Sequence, residues 1–315
     1  MSDTVRVTEV GLRDGLQNQP RPVSTEGKLR LARALVDAGL RQIEATSFVH
    51  PKAVPQMADA AAVTAGLPQG EHLDYMALVP NLKGYARARE AGYRRVAVVL
   101  ASTDSFNLRN LNMTRDATEA ACREVIAAAQ ADGVAVRAYI SGALACPYDG
   151  PTPVRETIAL CTRMREAGAT DIAISDTIGA GNPRQIQQIL APLLREHDAA
   201  LFSLHLHDTR GTALAMAWAG LECGVRHFDA SIGGLGGCPF APGASGNVAT
   251  EDLVHLFHGA GLATGIDLDR LYAAVSVAEE ITGQALGGRY TQWRRSQERR
   301  AREAAAACAP TDARR

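Results

Sequence analysis

The chain has 315 residues, 46% of them apolar but only 5% aromatic, so its core must be aliphatic, and its length allows one large α/β domain or two ordinary ones. A net charge of −1 gives no polycationic surface for nucleic acid or an acidic membrane, and no run approaches the ~18 apolar residues of a bilayer span. The opening MSDTVRVTEV enters a strand pattern directly, without signal- or transit-peptide character, so the expectation is a cytoplasmic protein that binds neither nucleic acid nor membrane.

Short β-rich apolar runs alternate with longer Ala/Leu/Arg helical patterns. The strands are expected at VRVTEV (5–10), QIEATSF (42–48), DYMALV (74–79), RVAVVLAS (95–102), VRAYIS (136–141), DIAIS (171–175), LFSLHLHD (201–208) and HFDASI (227–232). Each is followed by a segment long enough for a helical crossover. Glycine marks where those helices should close, in DAGLRQIE, EAGYRRVAV, ADGVAVRA, EAGATDIAI and ECGVRHFD. Eight regular βα units predict an α/β fold, a (β/α)8 TIM barrel over residues 1–285 with additional C-terminal helices. An open doubly wound sheet would carry a G-x-G-x-x-G turn after its first strand, where this chain reads GLRDGLQNQP.

Beyond residue 264 the pattern is mainly helical, and residues 286–315 form a basic helical or disordered tail. Its Arg294, Arg295, Arg299, Arg300 and Arg302 resemble a nucleic-acid arm, but a solvated C-terminal helix is the preferred reading. Trp293 is placed to anchor that helix to the barrel or to a second subunit, and a homodimer or higher homo-oligomer is the expected assembly. The six cysteines (Cys122, Cys146, Cys161, Cys223, Cys238, Cys308) have no C-x-x-C spacing, which excludes a zinc cluster and argues against a disulfide framework. Cys238 differs from the rest, because it sits in GGLGGCPFAPGASGN, a glycine-rich loop that packs no thiol by itself.

Chemistry in such a barrel sits at the C-terminal ends of the strands. Strand one ends at Arg13 and Asp14; strand two carries Glu44 and leads to Ser47 and His50. Strand six runs into Ser175, Asp176 and Thr177; strand seven holds His205 and His207; the loop after strand eight ends at Asn247. Residues two apart on a strand share a face, so H-L-H aims both imidazoles at one point. With Asp14 and Asn247 at the same end, the mixed N/O donor set suits a catalytic divalent ion, with Mg²⁺ or Mn²⁺ expected, although ligand type alone leaves Zn²⁺ and Co²⁺ open. Asp14 is expected to face away from Arg13. Arg13 either pairs with a strand-end acid such as Glu44 or Asp176, or projects its charge at an oxyanion beside the metal. Glu44 either pairs with Arg13 or tunes the site and relays a proton.

The segments GLRDGLQNQ, IEATSFVHPKAVPQM, VPNLKGY, ALACPYDG, SDTIGAG, HLHDT and GGLGGCPFAPGASGNVATEDLV resemble the 3-hydroxy-3-methylglutaryl-CoA lyase family, within the metal-dependent barrel enzymes of Claisen chemistry. The resemblance implies cleavage of 3-hydroxy-3-methylglutaryl-CoA to acetyl-CoA and acetoacetate. It implies Asp14, His205, His207 and Asn247 as metal ligands, with Arg13, Glu44, Asp176 and Cys238 catalytic. Arg13, Ser47, Tyr139 and Thr177 are the substrate-binding candidates, and the partner is a CoA thioester. Lys83 and the basic residues of the first loop are candidates for the CoA phosphates. The chain departs from the family at Leu12, His50, Ala53, Gly142, Ala173, Arg210 and Thr212, which leaves citramalyl-CoA as an alternative substrate. A condensing synthase of the same barrel group is a further alternative; the loop cysteine and the lack of a substantial regulatory domain after the barrel tell against it.

Overall fold

The computed structural model describes residues 4–236 and 246–308. Strands and helices alternate in chain order: β1 (Arg6–Glu9), α1 (Thr25–Asp37), β2 (Gln42–Ser47), α2 (Ala60–Gly66), β3 (Asp74–Leu78), α3 (Leu82–Glu90) and β4 (Arg95–Ala101). They continue with α4 (Asp104–Leu111), α5 (Arg115–Ala131), β5 (Ala135–Ser141), α6 (Val154–Ala167), β6 (Asp171–Asp176), α7 (Pro183–Glu196), β7 (Phe202–Leu206), α8 (Ala213–Glu222) and β8 (His227–Ala230). Three helices complete the chain: α9 (Thr250–Gly259), α10 (Leu268–Thr282) and α11 (Arg289–Cys308). The eight strands are parallel and close into a barrel in the order β1-β8-β7-β6-β5-β4-β3-β2, the predicted (β/α)8 architecture.

Local sequence explains the elements. In α7, Ile186, Ile189, Leu190 and Leu193 recur at helical spacing and are the buried face, while Asn182 and Gln185 form a reciprocal capping box around Pro183 at the first helical position. Gly39, one of the predicted closing glycines, holds φ 102°, and a Cβ there would lie 2.3 Å from the Gly265 carbonyl oxygen, so only glycine fits. Six of the strands are shorter than the expected apolar runs, while β5 and β6 are each one residue longer. β7 ends at Leu206, and His207 is carried just past it in a bridge to Asn247.

Two departures from regular geometry lie at the C-terminal mouth. After β1 the chain does not continue as a strand to Arg13 and Asp14. Instead Gly11–Gly15 forms a single π-helical turn, with the N–H groups of Arg13, Asp14 and Gly15 all pointing at the Val10 carbonyl. In β2 the register slips between Glu44 and Thr46, a bulge beside the inward-facing Glu44. Glu9 braces the turn: its Oε1 accepts from the N–H of Gly11 at 2.8 Å and of Ile232 at 2.9 Å, and its Oε2 from the Thr250 hydroxyl at 2.6 Å.

Burial pushes the Glu9 carboxyl up from 4.5 to about 7, against the pull of those three donors. Below pH 4.5 both folded and unfolded chains are protonated and nothing is lost. Between 4.5 and about 7 the unfolded chain releases its proton first, so stability falls as pH rises; above that window the loss is constant. Glu9→Gln keeps an acceptor for the two N–H groups and a donor for Thr250. It should therefore gain on the unsubstituted protein by on the order of 1–3 kcal/mol across that window and then level off. Urea unfolding at a series of pH values checks this, and a flat difference across the window would contradict it.

The C-terminal helix is docked at its start. Asp252 accepts from the N–H groups of Arg289 and Tyr290 at 2.8 and 2.7 Å, and Glu251 Oε1 from the Gly288 N–H and the Thr291 hydroxyl, both at 2.8 Å. Glu251 Oε2 also accepts from Gly233 N–H at 3.0 Å, at the base of the cysteine loop. Arg294 and Arg295 pair with Asp269 and Glu279 of α10 rather than standing free. Trp293 is 53% exposed and leans on Tyr290, with ring centroids 5.7 Å apart. Truncation after residue 285 leaves the buried Glu251 without two of its donors and Asp252 without both. It should cost at least ~3 kcal/mol in urea unfolding, and a loss below ~1 kcal/mol would show this docking to be incidental. No helix among the described residues is long and apolar enough to cross a membrane.

Candidate active site

The π-turn places Arg13 and Asp14 side by side over the mouth. The Arg13 Nε and a terminal nitrogen each lie 2.7 Å from Glu44 Oε2, and its other terminal nitrogen lies 2.7 Å from Asp14 Oδ1. The ion pair with Glu44 is the one anticipated from sequence. Asp14 does not face away as expected, because a helical turn sets neighbouring side chains about a quarter-turn apart, within reach of the long arginine, where a strand would set them on opposite faces. Asp176 is not a partner of Arg13. Its oxygens accept from the N–H groups of Ala180 at 3.0 Å and Gly181 at 2.9 Å.

Asp14 Oδ2 faces both imidazoles, 4.0 Å from His205 Nε2 and 3.9 Å from His207 Nε2. Those gaps are too long for hydrogen bonds, yet atoms sharing a cation at ~2.1–2.2 Å can be up to ~4.4 Å apart. The donor atoms of Asp14, His205 and His207 all lie within 4.8 Å of one another, the one such cluster among the described residues. His207 Nδ1 is buried with no hydrogen-bond partner among the described residues. The cluster therefore fits a divalent ion. Asn247 reaches it through Nδ2, which donates to Asp14 Oδ2 at 2.8 Å, so its carbonyl oxygen would face a cation only with the amide turned over.

Burial alone would raise the Asp14 carboxyl, but Arg13 and then the two histidines hold it well below the usual carboxylate range. Burial lowers His207 to about 4, helped by His205 beside it, so this imidazole is neutral near pH 7 and one ring nitrogen has a lone pair free to act as a ligand. His205 is also disfavoured by burial, but Asp229 and Asp14 outweigh that and raise it. Burial raises Glu44 despite Arg13, and it raises Asp176 despite the two N–H donors. Carboxyls shifted upward in this way hold a proton more readily than exposed ones, which suits acid–base work.

Tyr139 joins the cluster, its hydroxyl 3.3 Å from Glu44 Oε2 and its ring edge-on to His205. Glu44 Oε1 is buried without a partner among the described residues. Ser47 and Thr177 stand at strand ends but are engaged locally, Ser47 donating to the Leu78 carbonyl and Thr177 accepting from the Gly142 N–H. Lys83 is exposed on α3. Cys238 lies outside the described residues. Of the departures, Ala173 is buried against Tyr139 and Arg210 donates to the Ile178 carbonyl at 2.5 Å, tying together the loops after β6 and β7.

Sequence reasoning missed the charged interior beneath the site. Arg137, Asp171, His227 and Asp229 are all buried, and Arg137 bridges Asp171 at 2.6 Å and Asp229 at 2.7 Å. Their signal was the period-two pairing of His227 with Asp229 and of Arg137 with Tyr139, the same rule that picked out H-L-H.

A closed barrel with acid, arginine and paired imidazoles converging on its C-terminal mouth defines a (β/α)8-barrel enzyme working from its strand ends. A family model described as HMGL-like matches residues 4–278, and the chain belongs to that family. It is 43% identical over 280 residues to a hydroxymethylglutaryl-CoA lyase of Pseudomonas mevalonii, covering 89% of this chain and 92% of the relative. A crystal structure of hydroxymethylglutaryl-CoA lyase from Pseudomonas aeruginosa superposes with a TM-score of 0.91 at 39% identity, covering 94% of this chain and 99% of that one. An HMG-CoA lyase from Acinetobacter baumannii, solved in complex with coenzyme A and 3-methylmalate, gives a TM-score of 0.87 at 36% identity, covering 100% of this chain and 98% of that one.

Proposed function

We propose that this protein is a carbon–carbon lyase that cleaves 3-hydroxy-3-methylglutaryl-CoA to acetyl-CoA and acetoacetate by a retro-Claisen reaction. The observation that carries the reading is the buried Arg13–Glu44 pair set directly against the Asp14, His205 and His207 cluster, in a family barrel. Mg²⁺ or Mn²⁺ would be held by Asp14, His205 and His207, with Asn247 as a fourth donor after an amide flip. When bound, the ion lowers the pKa of the substrate's tertiary hydroxyl and fixes its orientation.

The remaining work falls to side chains. The hydroxyl proton leaves to a base, the C–O bond becomes the ketone of acetoacetate, and the pair of the breaking C–C bond moves into the thioester as an acetyl-CoA enolate. Both Asp176 oxygens are engaged by backbone N–H groups, whereas Glu44 has a buried, unpartnered Oε1, so Glu44 is assigned the hydroxyl proton. Arg13 stabilises the enolate oxygen with a charge already fixed in place by two carboxylates, so little reorganisation is needed as negative charge develops. Cys238 is assigned the proton that quenches the enolate carbon, on the strength of its loop motif alone. Ser47, Tyr139 and Thr177 line the strand ends where the acyl group would sit.

The reading is tested by offering hydroxymethylglutaryl-CoA and citramalyl-CoA separately, with Mg²⁺ or Mn²⁺, and comparing kcat/KM. Preference for the first supports it. Preference for citramalyl-CoA would keep the roles of Arg13 and Glu44 but move the substrate, with Arg210 at the mouth the first residue to exchange.

A further inference from the structure

The geometry points to Asp229 as a positioning residue for the cation site, locked in place from behind by Arg137; this rests on the reading that Asp14, His205 and His207 hold a divalent ion. Asp229 Oδ2 lies 3.1 Å from His205 Nδ1, and its Oδ1 takes a charge-assisted hydrogen bond from Arg137 at 2.7 Å. Arg137 is in turn held by Asp171 Oδ2, 2.7 Å from Nε and 2.6 Å from a terminal nitrogen, and its terminal nitrogen lies 3.0 Å from His227 Nε2. The Ser203 hydroxyl donates to Asp171 Oδ1 at 2.8 Å, and the Thr8 hydroxyl lies 2.7 Å from His227 Nε2. Strands β1, β5, β6, β7 and β8 each contribute a member, so the Asp229 carboxylate cannot turn without breaking a network across the barrel.

The consequence is for His205 alone. Donating Nδ1–H to Asp229 fixes the tautomer and ring plane and leaves the Nε2 lone pair directed at Asp14, as a carboxylate behind a ligating histidine does. His207 has no such support, since its Nδ1 has no partner among the described residues. The two imidazoles are therefore unequal: the His205 ring is preorganised by a side-chain partner, while His207 is placed through its backbone, by the bridge to Asn247 and by its N–H on the Asp176 carbonyl. A merely space-filling ion pair would affect folding without affecting the ring's tautomer or its affinity for a cation.

The test is calorimetric titration of Mn²⁺ into the metal-stripped full-length protein and into its Asp229→Asn and His207→Ala variants. It is paired with ¹⁵N NMR of the histidines in the metal-free state. Asp229→Asn keeps the shape and an oxygen acceptor but loses the charge. The expected result is a Mn²⁺ Kd weakened ~10–100-fold in Asp229→Asn, with His205 moving away from a pure Nδ1–H tautomer. If Asp229→Asn alone fails to fold, Arg137→Met combined with Asp171→Asn and Asp229→Asn removes the buried charges of the cluster together and is expected to give the same loss. Mn²⁺ affinity within twofold of the unsubstituted protein, alongside a clear loss in His207→Ala, would overturn the positioning role and leave the cation site standing. An unsubstituted protein that binds no Mn²⁺ would overturn the cation site and this role together.

Discussion

Arg13→Lys should lower kcat by about 10²–10³-fold with KM changed far less, because the lost contact is made to charge that exists only in the transition state. The guanidinium binds Glu44 through two nitrogens and Asp14 through a third, a fork that a single ammonium cannot reproduce while also facing a substrate oxygen. Lysine keeps the charge, so the buried carboxylates are not left bare, and the variant should fold and retain its Mn²⁺ affinity. Steady-state kinetics beside Mn²⁺ titration separate the outcomes. A kcat within tenfold of the original would make Arg13 a structural counter-ion for Glu44 and nothing more.

Asp14→Asn is expected to have the larger effect. Asp14 is where three features meet: Arg13 on Oδ1, and both imidazoles and the Asn247 amide around Oδ2. Removing its charge takes the only carboxylate from the proposed donor set, so Mn²⁺ affinity should fall by about 100-fold or more, beyond the loss expected of a residue acting through a ligand. Turnover should drop by at least ~10³-fold, since both the cation and the orientation of Arg13 are lost together. Titration calorimetry reads the first and product formation the second. Mn²⁺ affinity within threefold of the original would place the cation elsewhere.

The barrel was legible because short β-rich apolar runs recurred eight times between helical patterns, five of them preceded by a closing glycine, and α/β crossovers leave few other topologies. The histidine pair was legible for a geometric reason, two residues apart on one strand. The relation of Arg13 to Asp14 was not, because reading them as a strand end implied opposite directions, and only the π-turn after Val10 brings them together. Nor was the Arg137 network, since one charged residue within an apolar strand reads as an edge or a mouth position until its partners on β6 and β8 are seen to face it across the interior. Such pairings join residues up to 92 positions apart, and one-dimensional periodicity records which face a residue takes without recording what lies opposite. The contribution of Cys238, by contrast, rests on sequence alone.

The central claim is best tested by stripping the purified protein of metal, restoring Mn²⁺ in a measured ratio, and following the products from hydroxymethylglutaryl-CoA. The account predicts acetyl-CoA and acetoacetate in equal amounts, no turnover in the stripped protein, and activity rising in proportion to Mn²⁺ up to one ion per chain. Equal turnover with and without metal, or an absence of acetoacetate under saturating Mn²⁺, would contradict it.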